Sequence, residues 1–127
     1  MIGGVRVHLD LGSGVPASEQ VRTGIARAIR RGRLLPGERL PTVRELAAEL
    51  RLAANTVAKA YRKLEADGLV VGRGRHGTYV ADVLPVSPDE ARTRLVEAAR
   101  TYARRARQLG VDGKTALQAV RRALERD

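Results

Sequence analysis

The 127-residue chain contains no cysteine, tryptophan or phenylalanine, only three tyrosines and two histidines, and few acids for its bases. Without cysteine there is no disulfide framework, no thiolate zinc site and no cysteine nucleophile. The histidines, His8 and His76, lie far apart, and the three serines (Ser13, Ser18, Ser87) fall in a loop or at expected helix starts. No carboxylate pair and no ligand-spaced cluster points to catalysis or metal binding, so neither enzyme activity nor a cofactor or metal is expected. No apolar run approaches the ~20 residues that span a bilayer. Met1-Ile2-Gly3-Gly4 has neither the basic nor the apolar region of a signal peptide. A cytoplasmic protein with no membrane partner is expected. The scarcity of aromatics also argues against stacking platforms for single-stranded nucleic acid.

What the chain has is arginine. Lys+Arg number 24 against 14 Asp+Glu, a formal charge of +10, and only Lys59, Lys63 and Lys114 are lysines. Arginine suits bidentate contact with phosphates and guanine edges, so the expected partner is a polyanion, and duplex DNA first. At 43% hydrophobic the chain also has the means to bury a core, built from Leu, Val, Ile and Ala. Residues 1–82 carry a net +6 and residues 83–127 a net +4.

Periodicity divides the chain. Val5–Leu11 alternates apolar and polar residues and predicts a short strand. A helix follows from about Ala17, with Ser18 as its expected N-cap, Val21, Ile25, Ala28 and Ile29 on one face, and Gly32 ending it. Thr42-Val43-Arg44-Glu45 is a capping box opening a short helix that buries Val43, Leu46, Ala47 and Leu50. After the tight turn Arg51-Leu52-Ala53, a third helix spans about Ala54–Asp67 with Val57, Ala60, Tyr61 and Leu64 inward. Two strands, Leu69–Val71 and Thr78–Ala81, flank the glycine-rich tip Gly72–Gly77. Three helices and a basic-tipped hairpin outline a winged helix-turn-helix, expected over residues 1–82. In residues 83–127, Ser87-Pro88-Asp89-Glu90 is a second capping box, with proline at N1. It starts a helix with Ala91, Leu95, Ala98, Ala99, Tyr102, Ala106 and Leu109 along one stripe. Gly110 stops that helix, and a last one carries Ala116, Leu117, Val120, Ala123 and Leu124 inward. The expected class is mainly α (α+β), a winged helix-turn-helix followed by a C-terminal α-helical hairpin. Two amphipathic helices bury little by themselves. The hairpin is therefore expected to be a dimerisation arm that joins two copies through Leu95, Ala99, Tyr102, Ala106, Leu117, Val120 and Leu124.

In such a fold the third helix enters the major groove with its N-terminal residues on the base edges. That end presents Asn55, Thr56 and Lys59, with Lys63 extending the face toward phosphates. Asn pairs bidentately with adenine, and Thr reaches phosphate or a thymine methyl; against this stands a plain solvated helix face. Arg44 sits in the first turn of the second helix, where a cation opposes the helix dipole. A functional site tolerates such a conflict, and an ion pair with Glu45 or Glu49 is the other account. At the hairpin tip, Arg73, Gly74, Arg75 and His76 project from a stretch with no acid nearby, suited to a minor groove or to phosphates. An exposed loop histidine is more often a bystander. The Arg100, Arg104, Arg105 and Arg107 cluster has two accounts, contact with flanking DNA and a solvated helix face opposite the apolar stripe, and the second is expected. The glycine-rich tip lacks the Lys-Ser/Thr and the strand–helix context of a phosphate loop.

These residues also carry a resemblance. Pro16–Val21, then Gly32-Arg33-Leu34-Leu35-Pro36-Gly37-Glu38-Arg39-Leu40-Pro41-Thr42-Val43-Arg44-Glu45-Leu46-Ala47, Asn55-Thr56-Val57, Ala60–Glu65, Asp67–Val70 and Gly77–Val80 resemble the GntR family of bacterial transcription regulators over about residues 15–82. The resemblance implies that Arg44 is a DNA-contacting arginine of helix 2, that Asn55 and Thr56 lie at contacting positions of the recognition helix, and that Gly74–Gly77 belongs to the wing. Ala53 and Ala54 depart from it. The family often has Ser or Thr followed by Arg or Pro there, so a cap worth about 1 kcal/mol and an arginine are missing, and the family's usual operator core is not implied. The short tail resembles the YtrA-like subfamily, whose two C-terminal helices form a dimerisation arm and whose members often repress operons for ATP-binding-cassette transporters. The expected function is a homodimeric repressor on an inverted-repeat operator in double-stranded DNA, with an unknown small-molecule effector as a further partner. The alternative is a nucleoid-type architectural protein that coats duplex DNA by charge.

Overall fold

The computed structural model describes residues 7–126 and divides into two compact units, one ending at Pro85 and the other beginning at Val86. The first unit contains α1 (Ala17–Arg30), α2 (Val43–Leu50), α3 (Ala54–Ala66), β1 (Val70–Gly72) and β2 (Thr78–Val80). Its core is aliphatic: Val21 and Ile25 of α1, Leu46 of α2, Val57 and Leu64 of α3, and Leu34, Leu40 and Leu69 from the connections are fully buried. Each such side chain contributes on the order of 2 kcal/mol through burial.

Tyr61 adds a polar tie. Its hydroxyl donates to the Pro41 carbonyl at 2.7 Å, fastening α3 to the residue before the cap of α2. Burial pushes that phenol well above its usual pKa, and the Glu45 charge adds to the effect.

Local chemistry sets the helix ends. Thr42 Oγ1 accepts from the Glu45 N–H (3.1 Å) while Glu45 Oε1 accepts from the Thr42 N–H (2.9 Å), so the capping box of α2 is complete. At the end of α1, the Arg33 N–H reaches the Ala28 carbonyl and Gly32 adopts φ 74°, the left-handed termination glycine favours. The same closure recurs after α3, at Gly68 (φ 77°). After α2 it falls on Arg51 (φ 57°), the one non-glycine residue with positive φ among those described.

The sheet is small. β1 and β2 pair antiparallel with Val71 opposite Tyr79, and a 3₁₀ turn (Gly74–His76) joins them. The segment 37–40 lies along the other edge of β2: Gly37 N–H donates to Val80 O (2.9 Å), Val80 N–H to Glu38 O and Leu40 N–H to Thr78 O (both 2.8 Å).

Two expectations need correction here. No strand forms at residues 7–11, and residues 5–6 lie outside the described residues. Val7 and Leu9 pack against the core while His8 and Asp10 face solvent, so the alternation records one-sided burial without a strand to pair with. Ser18 does not cap α1: Pro16 holds the N-cap place, with no side-chain hydrogen bond.

The second unit is a hairpin of α4 (Pro88–Gln108) and α5 (Gly113–Arg126). Ser87 Oγ accepts from the Glu90 N–H, but the second capping box is only half formed, because the Glu90 carboxylate turns to Arg94 at 2.8 Å. Gly110 (φ 73°) ends α4, and Asp112 Oδ1 accepts from the Thr115 N–H at the start of α5. The Tyr102 hydroxyl donates to the Ala116 carbonyl across the hairpin (2.8 Å). Neither helix contains a buried residue.

Candidate nucleic-acid interface

Helix α3 has two faces. Val57, Ala60, Tyr61 and Leu64 are buried, and at 100° per residue the opposite line runs through Asn55, Lys59 and Arg62, all exposed. Thr56 flanks that line, half-buried. Lys63 does not extend it, because its Nζ is held by Glu19 Oε1 of α1 at 2.7 Å. Glu19 also binds Arg22 at 2.7 Å, and its bonds to Lys63 and Arg22 hold its carboxyl below the usual range. Sequence reasoning missed Arg62, although its i+7 spacing from Asn55 was the signal.

Arg44 stands exposed in the first turn of α2, and among the described residues no carboxylate pairs with it. The Glu45 carboxylate is occupied at the cap, and its hydrogen bonds to Thr42 hold it below the usual pKa. Arg39, also missed, lies beside both Gly77 and Glu45. Its only sequence signal was its place between Glu38 and buried Leu40 in an extended stretch.

The wing is built more tightly than its glycines implied. Gly74 (φ 57°) and Gly77 (φ 106°) turn the chain, whereas Gly72 lacks a positive φ and lets the Glu65 carboxylate come close. A Cβ there would collide with Glu65 Oε2, which accepts the Gly72 N–H at 2.7 Å. An acid therefore does lie beside the wing, contrary to expectation. It comes from α3, seven residues away. Arg73 lies over the Tyr79 ring, 4.7 Å from its centre, and the Tyr79 hydroxyl donates to the His76 carbonyl at 2.8 Å. Arg75 and His76 are exposed, and Arg75 has no partner among the described residues. A groove of about 260 Å³ runs between Ala58, Arg62 and Glu65 of α3 and Gly72 and Thr78 of the wing.

In the second unit, Arg104 donates to Thr101 (3.2 Å) and Arg105 to Gln108 (2.8 Å). Of the hairpin residues singled out for pairing, Ala106 is half-buried and the others remain exposed, with Leu95, Leu117 and Leu124 at 70–73% and Val120 at 38%. Among the described residues there is no group of three or more potential metal ligands, and no helix is long and apolar enough to cross a membrane.

A short helix bracing an exposed recognition helix, with a glycine-turned basic hairpin alongside, defines a DNA-binding protein of the winged helix-turn-helix class. Residues 17–80 match the model of the bacterial regulatory proteins of the gntR family. The HTH-type transcriptional regulator Rv1152 of Mycobacterium tuberculosis is 43% identical over 88% of this chain and 88% of its own. The HTH-type transcriptional repressor YtrA of Bacillus subtilis is 35% identical over 75% of this chain and 68% of its own. Among solved structures, YtrA of Sulfolobus acidocaldarius aligns with a TM-score of 0.57 and 34% identity, over 74% of this chain and 97% of that one. The DNA-binding domain of AraR, solved with operator ORE1, aligns at 0.52 and 30% identity over 60% and 93%. The chain belongs to the GntR family of transcription regulators, in its YtrA-like group.

Proposed function

We propose that the protein is a homodimeric, sequence-specific repressor that binds an inverted-repeat operator. The observation that carries this reading is the outward line of α3, Asn55, Lys59 and Arg62, exposed above four buried residues of the same helix. Asn55 is assigned to an adenine edge, Thr56 to a phosphate or thymine methyl, and Lys59 and Arg62 to guanine edges or phosphates. Arg44 anchors the start of α2 on the backbone. Arg73, Gly74, Arg75 and His76 form the wing contact in the neighbouring groove. Lys63 joins the interface only if DNA draws it away from Glu19. The operator complex of the AraR domain and the repressor name of YtrA support the same role here.

Residues 1–82 are assigned to DNA binding and residues 83–127 to dimerisation. The stripe of Leu95, Ala99, Tyr102, Ala106, Leu117, Val120 and Leu124, exposed except at half-buried Ala106, finds cover in a second copy. Two-fold protein symmetry then implies two-fold operator symmetry. Repression follows from occlusion of a promoter in the cytoplasm, and a small-molecule effector relieves it by moving the two DNA-binding units apart. Neither cofactor, metal nor membrane is required.

The test is selection of binding sites from random duplex DNA by the purified protein at near-physiological salt. An enriched inverted repeat is expected. Retention of DNA with no enriched motif would mean that charge dominates, as in an architectural protein. Arg44→Ala should weaken binding to the selected site several-fold; unchanged affinity and specificity would remove it from the interface.

A further inference from the structure

A glutamate beside a DNA-binding face repels the polyanion, so its presence there calls for a reason. Glu65 lies on the flank of α3, in the groove that separates the recognition helix from the wing. Its Oε2 accepts the Gly72 N–H at 2.7 Å, joining the last turn of α3 to the end of β1. Gly72 meets it from the other side, because any Cβ at that position would push the carboxylate away. Beyond this joint the wing is tied a second time, by Arg73 over the Tyr79 ring and by the Tyr79 hydroxyl on the His76 carbonyl. Among the described residues these ties leave Arg75 as the wing arginine without a partner.

We propose that Glu65 is a positioning residue that latches the wing to the recognition helix, so that Arg75 meets DNA in fixed register with Asn55 and Lys59. Within the wing contact Arg73 is already placed by its stacking on Tyr79, whereas Arg75 has no such tie and depends on the latch for its register. The latch offsets the repulsion of its own charge by removing the freedom the wing would otherwise lose on binding. The proposal rests on the operator-binding reading above and deepens it.

Sign separates the latch from simple electrostatics. Glu65→Ala removes a negative charge from a DNA-facing groove, which by charge alone tightens binding. The latch predicts the opposite, a loss of about five-fold in affinity for the selected duplex, the net scale of one ordinary hydrogen bond. Glu65→Gln keeps the acceptor without the charge and should bind at least as well as the parent protein. Gly72→Ala should reproduce the loss and add less than two-fold in the Glu65→Ala background, where nothing remains to collide with.

The deciding measurement is a double-mutant cycle of Glu65→Ala with Arg75→Ala, on full-length protein checked for fold by circular dichroism. Without the Arg75 side chain the latch loses the contact that most depends on it, so Glu65→Ala should then cost less than two-fold. Full additivity of the two losses, or tighter binding by Glu65→Ala alone, overturns the proposal. Retained sequence preference and sensitivity to Arg44→Ala in the same assay leave the operator-binding reading standing in that event. A parent protein that prefers no sequence removes that reading and the latch together.

Discussion

Leu64 in α3 and Leu117 in α5 both sit on the apolar stripe of an amphipathic helix, yet Leu64 is fully buried and Leu117 is 71% exposed. The two units differ in the same way throughout. The first closes its own core around Ile25, Leu40, Leu46 and Leu64, whereas α4 and α5 bury no residue. A helix with one apolar face is an incomplete structure until something covers that face. The winged unit supplies its cover from its own chain, and the hairpin has only its partner helix. Stability and assembly should therefore respond to separate substitutions.

Truncation of equivalent leucines should separate the two units most widely. Leu64→Ala should destabilise the winged unit by about 2–5 kcal/mol, enough to shift or abolish its thermal transition by circular dichroism. The same truncation at Leu124, 73% exposed, should act only through the concentration of assembled protein. A large, concentration-independent loss from Leu124→Ala would mean that the hairpin has a core of its own.

Next in size is the assembly itself. Leu117→Asp combined with Leu124→Asp would place charges within the proposed dimer contact, raising the dimer dissociation constant on the order of 100-fold. Sedimentation equilibrium reads this directly. A protein that stays dimeric would move the interface off the α5 stripe, and Leu95 and Val96 of α4 would be the next residues to test.

Within the winged unit, Tyr61→Phe should cost about 1 kcal/mol, because the buried Pro41 carbonyl loses its donor. Acid should act through carboxylates in both units. Hydrogen bonds to Lys63 and Arg22 lower the Glu19 carboxyl, bonds to Thr42 lower Glu45, and in the hairpin bonds to Thr115 lower Asp112. A carboxyl whose folded pKa is depressed gives stability that is complete above its unfolded value and lost as pH falls through the folded one. Unfolding should therefore be insensitive to these groups at neutral pH and become easier below the ordinary glutamate value of 4.5. Glu45→Gln should flatten part of that decline in denaturant titrations run at successive pH values.

Much of this architecture was legible because its causes are local. The Thr42–Glu45 box, the stops at Gly32, Gly68 and Gly110, and the inward faces of α1 and α3 each depend on residues within a turn or two of one another. The misses have distant causes. Lys63 looked like part of the DNA face because its partner, Glu19, is 44 residues away. The wing looked free of acids because Glu65 arrives from the end of α3. The 7–11 segment alternates like a strand, but pairing needs an edge, and alternation alone cannot supply one. Arg39 gains its place beside the wing only when residues 37–40 lie along β2.

The smallest predicted effect concerns the helix end that lacks a glycine. After α2 the Leu52 N–H reaches the Ala47 carbonyl, the same closure that follows α1, α3 and α4, but the left-handed residue is Arg51 at φ 57°. That conformation costs a non-glycine residue roughly 1–2 kcal/mol. Glycine avoids this cost but loses about 0.5–1 kcal/mol more entropy on folding. Arg51→Gly should therefore stabilise the winged unit by about 0.5 kcal/mol, a rise of a few degrees in its thermal midpoint. Asparagine tolerates the left-handed region while also removing the charge, so Arg51→Asn should gain part of the same increment. If both variants melt higher but release operator DNA more readily, the arginine is kept in the turn between α2 and α3 for its charge, at the expense of stability. If both melt higher and bind DNA as the parent does, nothing in the interface depends on it, and the strain at this turn has no functional counterpart.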